Sequence, residues 1–191
     1  MFSIYMEYAK PVKIPDGRYF LKLSKDGGRI FHQVNNVMIP ETVTKDTRQL
    51  QLTMPSKTLF ESIDNELVGQ AEVQKLEWFG KELSDETIRS AYQTSLSPDS
   101  ILSVSLATVK GATVSTFYDV DKKLIDEVSG NCDILIELAG LWFLKRSFGP
   151  IWRLVQIRQR PAQKSKVSKY PVDFQFVEEP EEEEDPTDYL D

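Results

Sequence analysis

The residues best equipped for chemistry in this 191-residue chain lie in one run, GLWFLKRSFGPIWRLVQIRQR, from Gly140 to Arg160. It interleaves Trp142, Phe143, Phe148, Ile151 and Trp152 with five bases, Lys145, Arg146, Arg153, Arg158 and Arg160. Flat rings stack on nucleobases and cations pair with phosphates, the two contacts that single-stranded nucleic acid needs. Both contacts tolerate any base sequence. The candidate interface is therefore Trp142, Lys145, Arg146, Phe148, Trp152, Arg153, Arg158 and Arg160. Strand aromatics also build cores, and the adjacent Trp142 and Phe143 must point to opposite faces of a sheet, so at least one packs inside. Trp142 or Trp152 is the candidate for an open groove, with the core as the alternative for each.

Other chemistry is thinly supplied. His32 is the only histidine, so any His-based metal site or Ser/His or Cys/His nucleophile pair would rest on it alone. Packing is its expected role, as it is for Cys132, the only cysteine. Gly27-Gly28 lacks the Gly-Lys-Ser/Thr ending of a phosphate loop, and no GxGxxG occurs between a strand and a helix. Asp119 with Asp121, or Asp126 with Glu127, could hold a divalent ion as in a nuclease, although turn acids explain them as well. The expectation is a binding protein that is not an enzyme, with no cofactor and no metal.

The elements that must carry the run are mostly strands. Tyr19, Leu21 and Leu23 alternate with polar residues, Asp26-Gly27-Gly28 suits a hairpin turn, and Ile30 to Val34 forms the return strand. Asn35-Asn36 offers a turn before Val37 to Ile39, and Leu50, Leu52 and Met54 alternate again. From Ser56 the period changes: Leu59, Ile63, Leu67 and Ala71 make one helical stripe. Ser84 is an N-cap for a second helix lined by Ile88, Ala91, Tyr92 and Leu96 and closed by Pro98. Ile101 to Val109 and Thr113 to Tyr118 are β-branched and aromatic. A turn at Ser129-Gly130-Asn131 precedes two long strands, Asp133 to Leu144 and Ile151 to Arg160, which form a hairpin through residues 145–150. The pattern predicts a mainly β fold with one or two inserted helices between 56 and 97, an OB-like, five-stranded, partly open barrel over residues 1–172.

Charge divides the chain. Ten of the 30 acidic residues and none of the 23 bases fall in residues 173–191, so residues 1–172 carry 20 acids against all 23 bases despite a net charge of −7. Eight of those bases and no acid lie between Leu138 and Val172. The end, EEPEEEEDPTDYLD, is expected to be a disordered acidic tail over 173–191, because such a composition cannot offset the entropy of ordering. Glu181, Glu182, Glu183, Glu184, Asp185, Asp188, Tyr189 and Leu190 are its candidate partner-binding residues, with Tyr189-Leu190 as an apolar tip. With a lone thiol and an N-terminus, MFSIYMEYAK, that lacks a signal-like apolar run, the chain is expected inside the cell, not secreted and without a membrane partner.

Taken together, Gly140, Trp142, Phe148, Gly149 and Trp152, a basic turn, a basic connection and an acidic tail resemble the phage-type single-stranded DNA-binding proteins and their relatives in large nucleocytoplasmic DNA viruses. The resemblance covers mainly residues 101–191. It implies an OB fold whose hairpin rings and bases line a DNA groove, and a function of coating and protecting single-stranded DNA in replication, recombination or repair. It also implies that the tail competes with DNA for the groove and recruits replication partners such as a polymerase or helicase, at sites of DNA replication in the cytoplasm or nucleus of a host cell. In this chain Tyr189 is followed by Leu190 and Asp191, whereas the phage tails end on an aromatic residue. RNA as a ligand and a homodimer are compatible with the same residues. Two rivals stand: a structural or interaction protein, such as a virion component or DNA mimic, that uses the acidic tail against a basic partner, and a metal-dependent nuclease.

Overall fold

In the computed structural model, which describes residues 6–161, alternation becomes strand wherever the apolar row has a core to face. Tyr19–Ser24 (β1) buries Leu21 and Leu23, Ile30–Thr44 (β2) buries Ile30, Val37, Ile39 and Val43, and Gln49–Thr53 (β3) buries Leu52. The four-residue period becomes Thr58–Val73 (α1), which buries Phe60, Ile63, Leu67 and Ala71. Two short helices follow, Lys75–Phe79 (α2) and Asp85–Ala91 (α3), and Ser84 caps α3 by accepting from Thr87 N at 3.2 Å. Ile101–Leu106 (β4), Thr116–Tyr118 (β5), Glu127–Phe143 (β6) and Phe148–Gln159 (β7) are the remaining longer strands, and two-residue strands at Glu7–Tyr8, Val12–Lys13, Thr108–Val109, Ala112–Thr113 and Leu124–Ile125 accompany them.

Five strands curl into a barrel. β6 pairs antiparallel with β2 on one side and β7 on the other, β7 runs parallel to β4 through Arg153↔Ser105 and Leu154↔Leu106, and β4 pairs antiparallel with β3. A turn in which Thr47 N donates to Thr44 O at 3.1 Å leads from β2 into β3. The order around the barrel is thus β2-β3-β4-β7-β6. Among the described residues no ladder joins β2 to β3, so the barrel is open along that seam. The architecture is mainly β with inserted helices and OB-like.

The interior is apolar, with Leu102, Val104, Ile134, Ile136, Leu138, Leu154 and Ile157 all at most 1% exposed. Burying each such side chain contributes about 1.5–3 kcal/mol. One polar group joins helix to barrel. Buried Asp64 on α1 accepts from Tyr92 OH at 2.7 Å, Ser95 Oγ at 2.6 Å and Ser95 N at 2.9 Å, and Ser95 Oγ in turn accepts from Trp152 Nε1 at 3.0 Å. Four donors feeding one chain of acceptors leave little of the desolvation cost uncompensated.

The structure departs from the patterning at several points. The inserted helices number three, and α3 ends at Ala91 instead of running on to Leu96. The barrel claims the backbone beyond it: Gln93 N donates to Phe148 O at 2.8 Å and Ser97 N to Ile101 O at 3.0 Å. Asn35-Asn36 and Ser129-Gly130-Asn131 are not turns but irregularities inside β2 and β6, where the β2–β6 register shifts between Cys132 and Ile134 and between Val128 and Gly130. Asn36 adopts φ 58° and its N–H donates to Asp133 Oδ1 at 3.1 Å, so a turn-prone residue serves as a bulge that bends the strand. The hairpin turn is shorter than expected, because Phe148, Gly149 and Pro150 already belong to β7. The first compact unit of the chain ends at Pro161. The expected boundary at 172/173 and the tail residues Glu181 to Leu190 lie outside the described residues.

Candidate nucleic-acid interface

β6 and β7 place every residue of the predicted interface on one hairpin, and strand alternation then sorts them. Trp142 pairs with Gly149 and Phe143 with Phe148 across the two strands. As the parity of adjacent residues requires, Phe143 turns inward, stacked on Phe148 at 5.6 Å between ring centroids and 6° between planes, while Trp142 stays half-buried. Two glycines of the run make room. A Cβ at Gly149 would meet Gln93 O at 2.8 Å and the Trp142 ring at 3.2 Å, and one at Gly140 would meet Leu21 O at 2.1 Å. Gly149 is the bed on which the Trp142 indole lies.

Two of the three rings expected to stack on bases are not available. Phe148 is 1% and Trp152 4% exposed. Trp152 packs edge-on against Phe60 at 5.4 Å and His32 at 5.9 Å and spends its N–H on Ser95, so both rings are core, placed there by the inward register of β7.

The five bases separate as well. Lys145 and Arg146 stand exposed in the turn, where Leu144 N donates to Ser147 O at 2.8 Å, and neither makes an ion pair among the described residues. Arg153 faces outward, 4.0 Å from Glu137, which also lies 3.7 Å from Arg29. Glu137 is only 4% exposed, and its Oε2 lacks a hydrogen-bond partner among the described residues. Arg158 and Arg160 belong to a different place: both donate to Asp133, at 2.7 and 2.8 Å. Burial would raise the Asp133 carboxyl, but donation by Arg158, Arg160 and Asn36 N outweighs it and holds the group below the usual carboxylate range. With Gln33, Asn35 and Gln159 this cluster lines a separate cavity of about 410 Å³.

Most of what Trp142 faces lies outside the predicted interface. With Pro150, Ile101, Gln51, Ser103, Gln93 and Thr94 it lines a groove of about 470 Å³ whose floor reaches Ser95 and Trp152. The alternation in Gln49-Leu50-Gln51-Leu52 was the available signal, since the inward leucines oblige both glutamines to point out. A transverse row of outward side chains crosses the same barrel face, Gln49, Ser105, Arg153, Glu137 and Phe31, set by consecutive strand registers. Phe31 is 45% exposed and supplies a second open ring. Lys45 and Arg48, in the turn between β2 and β3, border a further cavity of about 520 Å³ beyond Ser105. On the other side of the hairpin turn, Lys145 and Arg146 rim a cavity of about 970 Å³ with Tyr19, Trp78, Phe79, Lys81 and Phe143.

Three of the remaining candidates, His32, Cys132 and Asp119, are held by packing or by their own turn. Burial, and secondarily Lys25, lowers the His32 pKa, and its Nε2 has no partner among the described residues. Burial and then Asp133 push the Cys132 thiol up to about 11, far from a reactive thiolate. Asp119 Oδ1 accepts from the backbone N of Asp121 and Lys123 and so closes its own turn. Among the described residues no three His, Cys, Asp or Glu side chains are grouped to hold a metal ion, and no helix is long and apolar enough to cross a membrane.

The fold is similar to that of the single-stranded DNA-binding protein from bacteriophage Enc34. Its C-terminally truncated form aligns at 15% identity and a TM-score of 0.43 over 82% of this chain and 95% of that one. Its complex with single-stranded DNA aligns at 12% identity and 0.42, over 81% and 95%. No curated protein matches the chain. The model of one family, described as a family of unknown function, DUF5871, matches residues 35–178, and the chain belongs to that family.

Proposed function

We propose that this protein binds single-stranded DNA on the outer face of β3, β4 and β7, without performing chemistry on it. The observation that carries the reading is the placement of Trp142: a half-buried indole lying on Gly149 in a groove, on the same hairpin whose turn carries Lys145 and Arg146, exposed and without an ion pair among the described residues. A ring with an accessible face and nearby unspent cations are the two requirements for holding a base and its phosphates. Arg153 and Phe31 extend the same pair of chemistries across the barrel. The face is also the one that OB barrels use for oligonucleotides, between the loops after their first and fourth strands, here residues 45–48 and 144–147.

The protein would coat and protect single strands in replication, recombination or repair. Its acidic residues 173–191 would compete with DNA for the basic turn and, through Tyr189-Leu190, recruit replication partners. A tethered anion meets its own body at an effective concentration that reaches millimolar, enough for weak attraction to matter. Titration of the full chain with oligo-dT at low salt tests the reading. Quenching of tryptophan fluorescence that disappears in Trp142→Phe is the expected result, and removal of residues 173–191 should tighten binding. Fluorescence unchanged at saturating oligonucleotide would sink it.

A further inference from the structure

The groove at Trp142 differs from the rest of the proposed DNA path in carrying no charge. Its lining is Gln51, Gln93, Thr94, Ser103 and other uncharged side chains, with no Lys, Arg, Asp or Glu. A phosphate placed there would lose water and find no counter-charge, so the backbone has no reason to enter. A nucleobase does. It has a flat apolar face for Trp142 and Pro150 and a polar edge that needs partners once buried.

Those partners are present and unspent. Thr94 Oγ1 already donates to Leu96 O at 2.8 Å, and Ser97 Oγ accepts from Ile101 N at 3.2 Å. The carboxamides of Gln51 and Gln93 and the hydroxyl of Ser103 have no hydrogen-bond partner in the protein among the described residues. A carboxamide offers a donor beside an acceptor, the arrangement that reads a base edge in two bonds. The volume, about 470 Å³, lies within the range of small-molecule pockets.

Building on the proposed binding of single-stranded DNA, we infer that this groove takes one unstacked nucleobase and reads its edge through Gln51, Gln93 and Ser103, so that binding prefers some bases over others. Pure stacking with phosphate neutralisation gives only the modest preferences set by stacking strength and strand flexibility, and those would survive loss of the two glutamines. The cations at residues 145 and 146 set affinity for any strand, and the uncharged groove adds the discrimination.

The test uses the full chain and 12-nucleotide dA, dC and dT at one fixed salt concentration, with the Gln51→Ala/Gln93→Ala double variant beside it. Both glutamines are exposed, so the variant keeps the core. The expected result is a spread in Kd of about fivefold or more between best and worst base, the scale of a single good edge contact. In the double variant the spread should collapse while the salt dependence stays unchanged. Equal affinities within twofold, or a spread that survives in the variant, would overturn base reading and leave single-strand binding intact. Absence of binding to all three would overturn the proposed function itself.

Discussion

The two ends of the β6–β7 hairpin carry similar residues and put them to different uses. At the turn end, Trp142 keeps a half-open ring and Lys145 and Arg146 keep their charge without an ion pair among the described residues. At the far end, Arg158 and Arg160 share the Asp133 carboxylate, and between the ends Trp152 is sealed among Phe60, His32 and Ser95. A basic and aromatic composition is therefore not an interface in itself. A cation already satisfied by a buried carboxylate has less to offer a phosphate, and an enclosed ring has no face for a base.

The two tryptophans should differ most. Trp152→Ala should lose about 3–5 kcal/mol of stability in urea denaturation, the cost of emptying a large core site, with Ser95 Oγ also losing its donor. Trp142→Ala, which removes a half-buried ring, should cost clearly less stability than Trp152→Ala and should weaken oligo-dT binding by about 5- to 150-fold, the worth of one stacked base. Should Trp142→Ala cost as much stability as Trp152→Ala while oligo-dT binding stays unchanged, the assignment of faces is reversed.

Next in size is the contrast between the two pairs of bases. Lys145→Ala/Arg146→Ala should flatten the slope of log K against log salt by roughly 1.4, about 0.7 for each phosphate that is no longer neutralised. Arg158→Ala/Arg160→Ala should change that slope by less, and should instead lower stability by leaving the buried Asp133 carboxylate without its two cations, with Asn36 N–H still donating to it. Equal effects of the two pairs on the slope would show that the Asp133 clamp opens when DNA arrives.

The smallest effect comes from His32. Burial depresses its folded-state pKa below the ordinary value of 6.5, so the unfolded chain binds the proton more readily. Stability should be fully present above pH 6.5 and decline as pH falls below it. Thermal melts at stepped pH should show that limb in the wild type and a flatter one in His32→Gln, and identical limbs would contradict the buried neutral ring.

Much of this is legible in the sequence. The two-residue period of Tyr19 to Leu23 and of Gln49 to Thr53, the four-residue stripe from Leu59 to Ala71 and the cap at Ser84 follow from local rules that need no partner. The opposite facing of Trp142 and Phe143 is likewise a property of any strand. Asn35-Asn36 and Ser129-Gly130-Asn131 read as turns because a residue tolerant of positive φ serves a turn and a bulge equally well, and only the neighbouring ladder chooses. Tyr92 to Leu96 reads as helix because its apolar spacing fits one, while the barrel strands offer its N–H groups better partners.

Chain chemistry alone thus determined which residues alternate, where helices begin, and that aromatic rings and cations converge on one hairpin. It did not determine which ring faces water or which cation is already paired, because those depend on side chains distant in the chain: Ser95 and Asp64 for Trp152, Asp133 for Arg158 and Arg160, Gly149 and Gln93 for Trp142. Closing the barrel brings these together, and the inward register imposed by its core decided which side chains were left for a ligand.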